Sequence, residues 1–198
     1  MKINILGTTK EYENSRQQID DMFEYIEKSI WDSKLILSHL EIDGLEVYSD
    51  FSNYFVDNIR NINEVNVITR TEKEMYKENI VSTLDYTERA IPEIEILSNE
   101  FYQTPTGDTW NKMIQLIEGL NWIIASFSSI DSKSNLKDLV DDYEEWNIYA
   151  KDIYSLKELV LELDKVIKNN DLVAIGDILA YEVSPLFNQA KETLKKLI

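Results

Sequence analysis

Histidine is the one side-chain type that changes charge around neutrality, and this chain holds a single one, His39. Imidazole-based acid/base or metal chemistry would have to pass through it. It sits in an apolar run, Leu37-Ser38-His39-Leu40, where the reading is a packed strand residue, not a catalyst. No Glu-x-x-His pair occurs, so the di-iron sites built from that motif in helical bundles are not expected. Carboxylates alone could hold Mg²⁺ or Mn²⁺, and the densest group is Asp141-Asp142-Tyr143-Glu144-Glu145, with Asp177 or Glu182 as partners from a later helix. That spacing does not match the double acidic motif of all-helical nucleotide pyrophosphohydrolases. Most of these acids also fall off the apolar stripe, where water would solvate them.

A ligand pocket is the second possibility. Glu182 lies three residues after the apolar Leu179, and Pro185 denies the carbonyl of Tyr181 its helical partner. A kinked helix with a free carbonyl, a tyrosine and a carboxylate leaning inward could be polar inside. Gly119 and Ser126 flank Trp122, and small neighbours let another element approach an indole. Trp122, Tyr181 and Glu182 are therefore the candidate pocket residues. No catalytic residue, metal ligand or cofactor is assigned. The chain has no cysteine, which excludes disulfides and thiol chemistry, and its five glycines form no phosphate-binding loop.

The elements that must position these residues change character along the chain. Lys2–Leu6 alternates as a short strand ending at Gly7, and Ile19, Phe23, Ile26 and Ile30 mark a helix over about 11–31. Asp43-Gly44, between the alternating runs 34–42 and 45–48, is a strong hairpin signal. A short helix over 50–62 and a β-branched strand over 64–69 complete a β-α-β-β-α-β order, the ferredoxin-like pattern. Beyond it the pattern is helical. Thr71 and Glu74 form a capping box, Pro92 predicts a kink or break, and 104–108 is a loop after which Thr106 or Asp108 caps the next helix. Leu139, Trp146, Ile153, Val160 and Ile167 recur every seven residues, which suggests a coiled coil between chains or a long helix in an antiparallel bundle. The last helix starts after Asn169-Asn170-Asp171. The expected fold is α+β and predominantly helical, with a small α+β region over 1–70 and a helical bundle over 71–198.

With 37 acidic and 20 basic residues the formal charge is −17. It is spread, with 13 acids against 7 bases over 1–70, 10 against 4 over 71–130 and 14 against 9 over 131–198. Such a surface repels phosphate backbones and anionic membranes. The expected partners are a basic protein, or a second copy through 136–167, with no nucleic acid and no membrane. The opening Met-Lys-Ile-Asn-Ile-Leu-Gly is too short for a signal peptide and no run approaches 18 apolar residues, so a cytoplasmic protein is expected.

Three stretches, Ser38–Tyr48, Arg89–Glu95 running on to Glu118–Trp122, and Gly176–Glu182, resemble segments of uncharacterised proteins of Gram-positive bacteria. That resemblance implies a bacterial cytosolic origin and carries no functional residue with it. The functional expectation is a non-enzymatic protein–protein interaction or regulatory module, in one form immunity- or inhibitor-like. The alternative is a carboxylate-based, divalent-metal-dependent hydrolase.

Overall fold

The computed structural model describes all residues, 1–198. The fold is α+β and predominantly helical, and the chain divides into two compact units, Met1–Met75 and Tyr76–Ile198.

The first unit runs β1 (Lys2–Ile5), β2 (Thr8–Glu11), α1 (Arg16–Ser33), β3 (Ile36–Ile42), β4 (Leu45–Val47), α2 (Phe51–Asn58) and β5 (Glu64–Arg70). Its sheet has the order β2-β1-β5-β3-β4, with only β1 and β5 parallel. The alternation β1-α1-β3-β4-α2-β5 is present, but the pairing departs from the ferredoxin-like pattern, whose first and last strands run antiparallel. One strand is added. Leu6 and Gly7, with φ of 49° and 76°, turn β1 into β2 where a helix was expected to be starting, and α1 begins only at Arg16.

Asp43 and Gly44 have φ of 49° and 86°, the positive pair that a type I′ hairpin turn needs. The Asp43 carboxylate also accepts the backbone N–H of Glu64 at 2.8 Å and that of Asn63 at 3.1 Å, which pins the turn to the start of β5. Within β3 the pairing slips at Ser38, since Leu37 pairs with Thr69 and His39 with Ile68. A bulge of one residue reverses which face each later side chain takes. Leu37 ahead of it and Leu40 and Ile42 beyond it therefore all reach the core packed by α1 and α2, with Ile3, Val65, Met22 and Phe55. That is why the run 34–42 reads as apolar on both faces. The other face carries a polar row, in which Thr9 donates to Asn4 at 2.7 Å and Asn4 to Asn66 at 2.8 Å.

The second unit begins within α3 (Glu72–Phe101), which the Thr71–Glu74 capping box starts with both reciprocal bonds, at 2.7 and 3.2 Å. Of the kink or break expected at Pro92, the break does not occur, and α3 continues through it. Pro92 and Glu88, whose carbonyl loses its donor, are both exposed on the solvent side of the helix, while Thr87, Ile94 and Leu97 hold it from its buried side. Then follow α4 (Gly107–Asp131), capped by Thr106 with Thr109 at N3, α5 (Leu136–Leu139), α6 (Tyr143–Lys168), α7 (Leu172–Ile178) and α8 (Ser184–Leu197). The long heptad helix is thus split. Asp142 caps α6 by accepting from Glu144 and Glu145, leaving Leu139 in a separate short helix. Trp146 and Ile153 are buried within their own unit, where Trp146 stacks on Phe127 at 5.1 Å and meets Tyr76 at 5.7 Å.

By length and composition α4 could cross a bilayer. Its Met113, Leu120, Ile123 and Phe127 are buried in the core of this unit. A π-helical turn, Leu179–Val183, joins α7 to α8, and the N–H of Ser184 reaches back five residues to the carbonyl of Leu179. The widened turn places Pro185, which has no N–H to give, at the start of α8. The irregularity expected there takes this form.

Candidate functional site

Trp122, Tyr181 and Glu182 stand on two different stretches of the helical unit. Trp122 is partly exposed on α4, with its indole 5.8 Å from the ring of Tyr86. Gly119, one turn earlier, makes that possible, since a Cβ there would run into the Tyr86 ring. Tyr181 is 73% exposed on the π-helical turn, and Glu182 beside it is exposed. There Tyr102 lies against Gly176 and donates to Asp177 at 2.7 Å, which pushes the Tyr102 phenol up to about 12. Tyr86 on α3 and Tyr102 just past its end, which mark the two places, are sixteen residues apart, roughly 24 Å at ~1.5 Å per residue. The three candidate residues do not converge.

The acids considered for metal binding are used locally. Asp142 is a helix cap, Asp141 pairs with Lys77 at 3.1 Å, Glu145 with Lys196 at 2.7 Å, and Asp177 holds Tyr102. His39 is buried in β3, with its ring 4.8 Å from that of Tyr48 and its Nδ1 3.1 Å from the Ser38 hydroxyl.

A different carboxylate is the unusual one. Asp152 on α6 is 3% exposed, lines a cavity of about 10 Å³ with Thr87, Tyr149 and Phe187, and accepts from Gln189 of α8 at 2.6 Å. Its second oxygen has no partner, and neither does the buried hydroxyl of Tyr76. Burial pushes Asp152 up to about 6, against the bond from Gln189, and drives the phenols of Tyr76 and Tyr149 upward too, Tyr76 to about 12. In the sequence Asp152 is masked by the adjoining heptad position Ile153. Its spacing from Tyr149 and Leu156, three and four residues, places it on the buried face.

A wide concave surface lies in the first unit, a trough of about 760 Å³ lined by α1, the start of β3 and the start of α2. Its apolar lining includes Phe23, Ile30, Trp31, Leu35, Leu37 and Phe51. Trp31 is 84% exposed, the most exposed large apolar side chain of the protein. The register of α1 explains this, because Ile19, Met22 and Ile26 take the sheet-facing positions and Trp31 falls outside them. Asp20, Glu24 and Glu27 from α1 and Asp50 from the start of α2 also line the trough, and no lysine or arginine does. Such a lining offers both apolar and anionic groups to whatever enters it. The position of Trp31, one residue past the apolar stripe of α1, is the sequence signal for it.

Residues 78–193, more than half of the chain, match the family model of a domain of unknown function, DUF8042, and residues 1–71 match that of the TP0873 N-terminal domain. No curated protein and no solved structure matches the chain.

Proposed function

We propose that this chain, which belongs to the family of the domain of unknown function DUF8042, is a non-enzymatic interaction module that recognises a basic partner protein through the acidic trough of its first unit. The observation that carries this reading is the pairing of a highly exposed tryptophan with four carboxylates and no cation in one concave surface. Exposed apolar patches with a polar margin mark interaction sites, and a formal charge of −17 steers a basic protein toward them. An immunity- or inhibitor-like role in the cytoplasm is one form of this function, in which the trough covers a basic surface on its target.

The test is capture of partners from native lysate on the immobilised full chain, followed by purification of each and measurement of its affinity. A basic protein whose binding weakens by at least about tenfold between low and high salt is the expected result. Partners that are acidic, or that bind independently of salt, would overturn the reading.

A further inference from the structure

We infer that the occupant of the trough is a basic amphipathic α-helix of another protein, lying alongside α1 with its apolar stripe on Trp31, Ile30 and Phe23 and its lysines or arginines against Asp20, Glu24 and Glu27. This rests on the interaction reading above and adds the shape of what is bound.

The spacing of the carboxylates carries the inference. Asp20, Glu24 and Glu27 follow one another at steps of four and three residues along α1, which at 1.5 Å per residue is about 6 and then about 4.5 Å. A helix laid alongside presents same-face side chains every ~5.4 Å, so three successive cations of the i, i+4, i+7 kind stay in step with the three carboxylates over their ~10.5 Å. A strand presents same-face side chains every ~6.6 Å and is about 3 Å out of step by the third. The apolar part agrees with this. Trp31 continues the row at four residues past Glu27, and Ile30 and Phe23 are half-buried beside it, so an apolar strip runs along the acidic one. Asp50, at the N-cap of α2, brings a fourth carboxylate from a second segment, which suits a helix carrying cations on both flanks of its apolar face. The same charges oppose an anionic lipid surface, the other habitual site of basic amphipathic helices.

The experiment uses the full chain and a fluorescein-labelled peptide of leucine and lysine patterned as an amphipathic helix. A control peptide has the same composition in an order with no helical face. Anisotropy at low and high salt gives affinities for the wild type, for Trp31→Ala and for the double change Glu24→Lys, Glu27→Lys, and melting curves confirm that each variant is folded. The amphipathic peptide is expected to bind at least tenfold tighter than the control, and each variant to lose at least tenfold. If the control binds as tightly as the amphipathic peptide, the helical occupant is overturned while recognition of basic partners stands. If neither peptide binds at low salt, both readings fall. Undiminished binding by Trp31→Ala overturns the trough as the site. A dimer of the chain seen in sedimentation and abolished by Trp31→Ala overturns the foreign helix in favour of a second copy.

Discussion

The side-chain amide of Gln189 donates to Asp152 at 2.6 Å and ties α8 to α6 inside the helical unit, while the other oxygen of Asp152 stays unpartnered. The folded state thus holds this carboxyl up at about 6 against an ordinary 3.8. A raised carboxyl favours folding fully below its unfolded value and stops doing so as the pH climbs through its folded value. Stability contributed here should fall between about pH 4 and pH 6 and stay low above that. Asp152→Asn removes the charge, and denaturant unfolding should find it about 1–2 kcal/mol more stable than the wild type at pH 7.5, with the gap closing near pH 4. Gln189→Ala should do the reverse, losing about 2 kcal/mol at pH 7.5 by stripping a buried carboxylate of its one donor.

Leu6 pairs with Gly7 in a turn that gives both a positive φ, and a leucine is a poor occupant of that region. Leu6→Asn should raise stability by roughly 0.5–1 kcal/mol, because asparagine tolerates the left-handed conformation and Leu6 is half exposed. Gly44→Ala, at φ 86°, should lower it by about 1 kcal/mol or more. Thermal or urea melts of the two variants check both signs.

The contrast between those two turns shows what was legible in the sequence. Asp43-Gly44 and the Thr71–Glu74 capping box announce themselves because the residues that make the conformation are neighbours in the chain. The first hairpin escaped because Leu6 is the wrong residue for its turn, and the bulge at Ser38 because it exists only through pairing with β5. Pro92 predicts a kink or break, and packing on the opposite side of α3 carries the helix through it unbroken. The trough and the Asp152 cluster are both tertiary. Each gathers residues from elements far apart in sequence, and periodicity shows only that Trp31 stands off its stripe and that Asp152 stands on one.

Asp177 raises the Tyr102 phenol by accepting its proton in a hydrogen bond, so Asp177→Asn should let it fall from about 12 toward 10. A pH titration of the labelled tyrosine ring by NMR reads this directly. A value unchanged by the substitution would mean that Asp177 is not what holds the proton.

At Gly119 a methyl group would occupy the place of the Tyr86 ring. Gly119→Ala should swing that half-exposed ring outward, shift the fluorescence of Trp122, and cost about 1 kcal/mol at most, since the helix gains propensity as the aromatic contact is lost. A loss above about 3 kcal/mol would show that Tyr86 cannot move and that the contact is structural to the bundle.

The polar row on the sheet links Asn4 to Asn66 across 62 positions, while β3, β4 and β5 are joined by connections that close within about half that distance. Ordering a long loop costs entropy before any contact rewards it. The three strands β5-β3-β4, with Glu64 of β5 fastened to the Asp43 carboxylate in the β3-β4 turn, can therefore assemble first, and the β1-β2 hairpin then closes onto the open edge of β5. The first eleven residues would be the last to gain protection from hydrogen exchange during folding and the first to lose it under mild denaturant, although β1 ends up in the interior of the sheet.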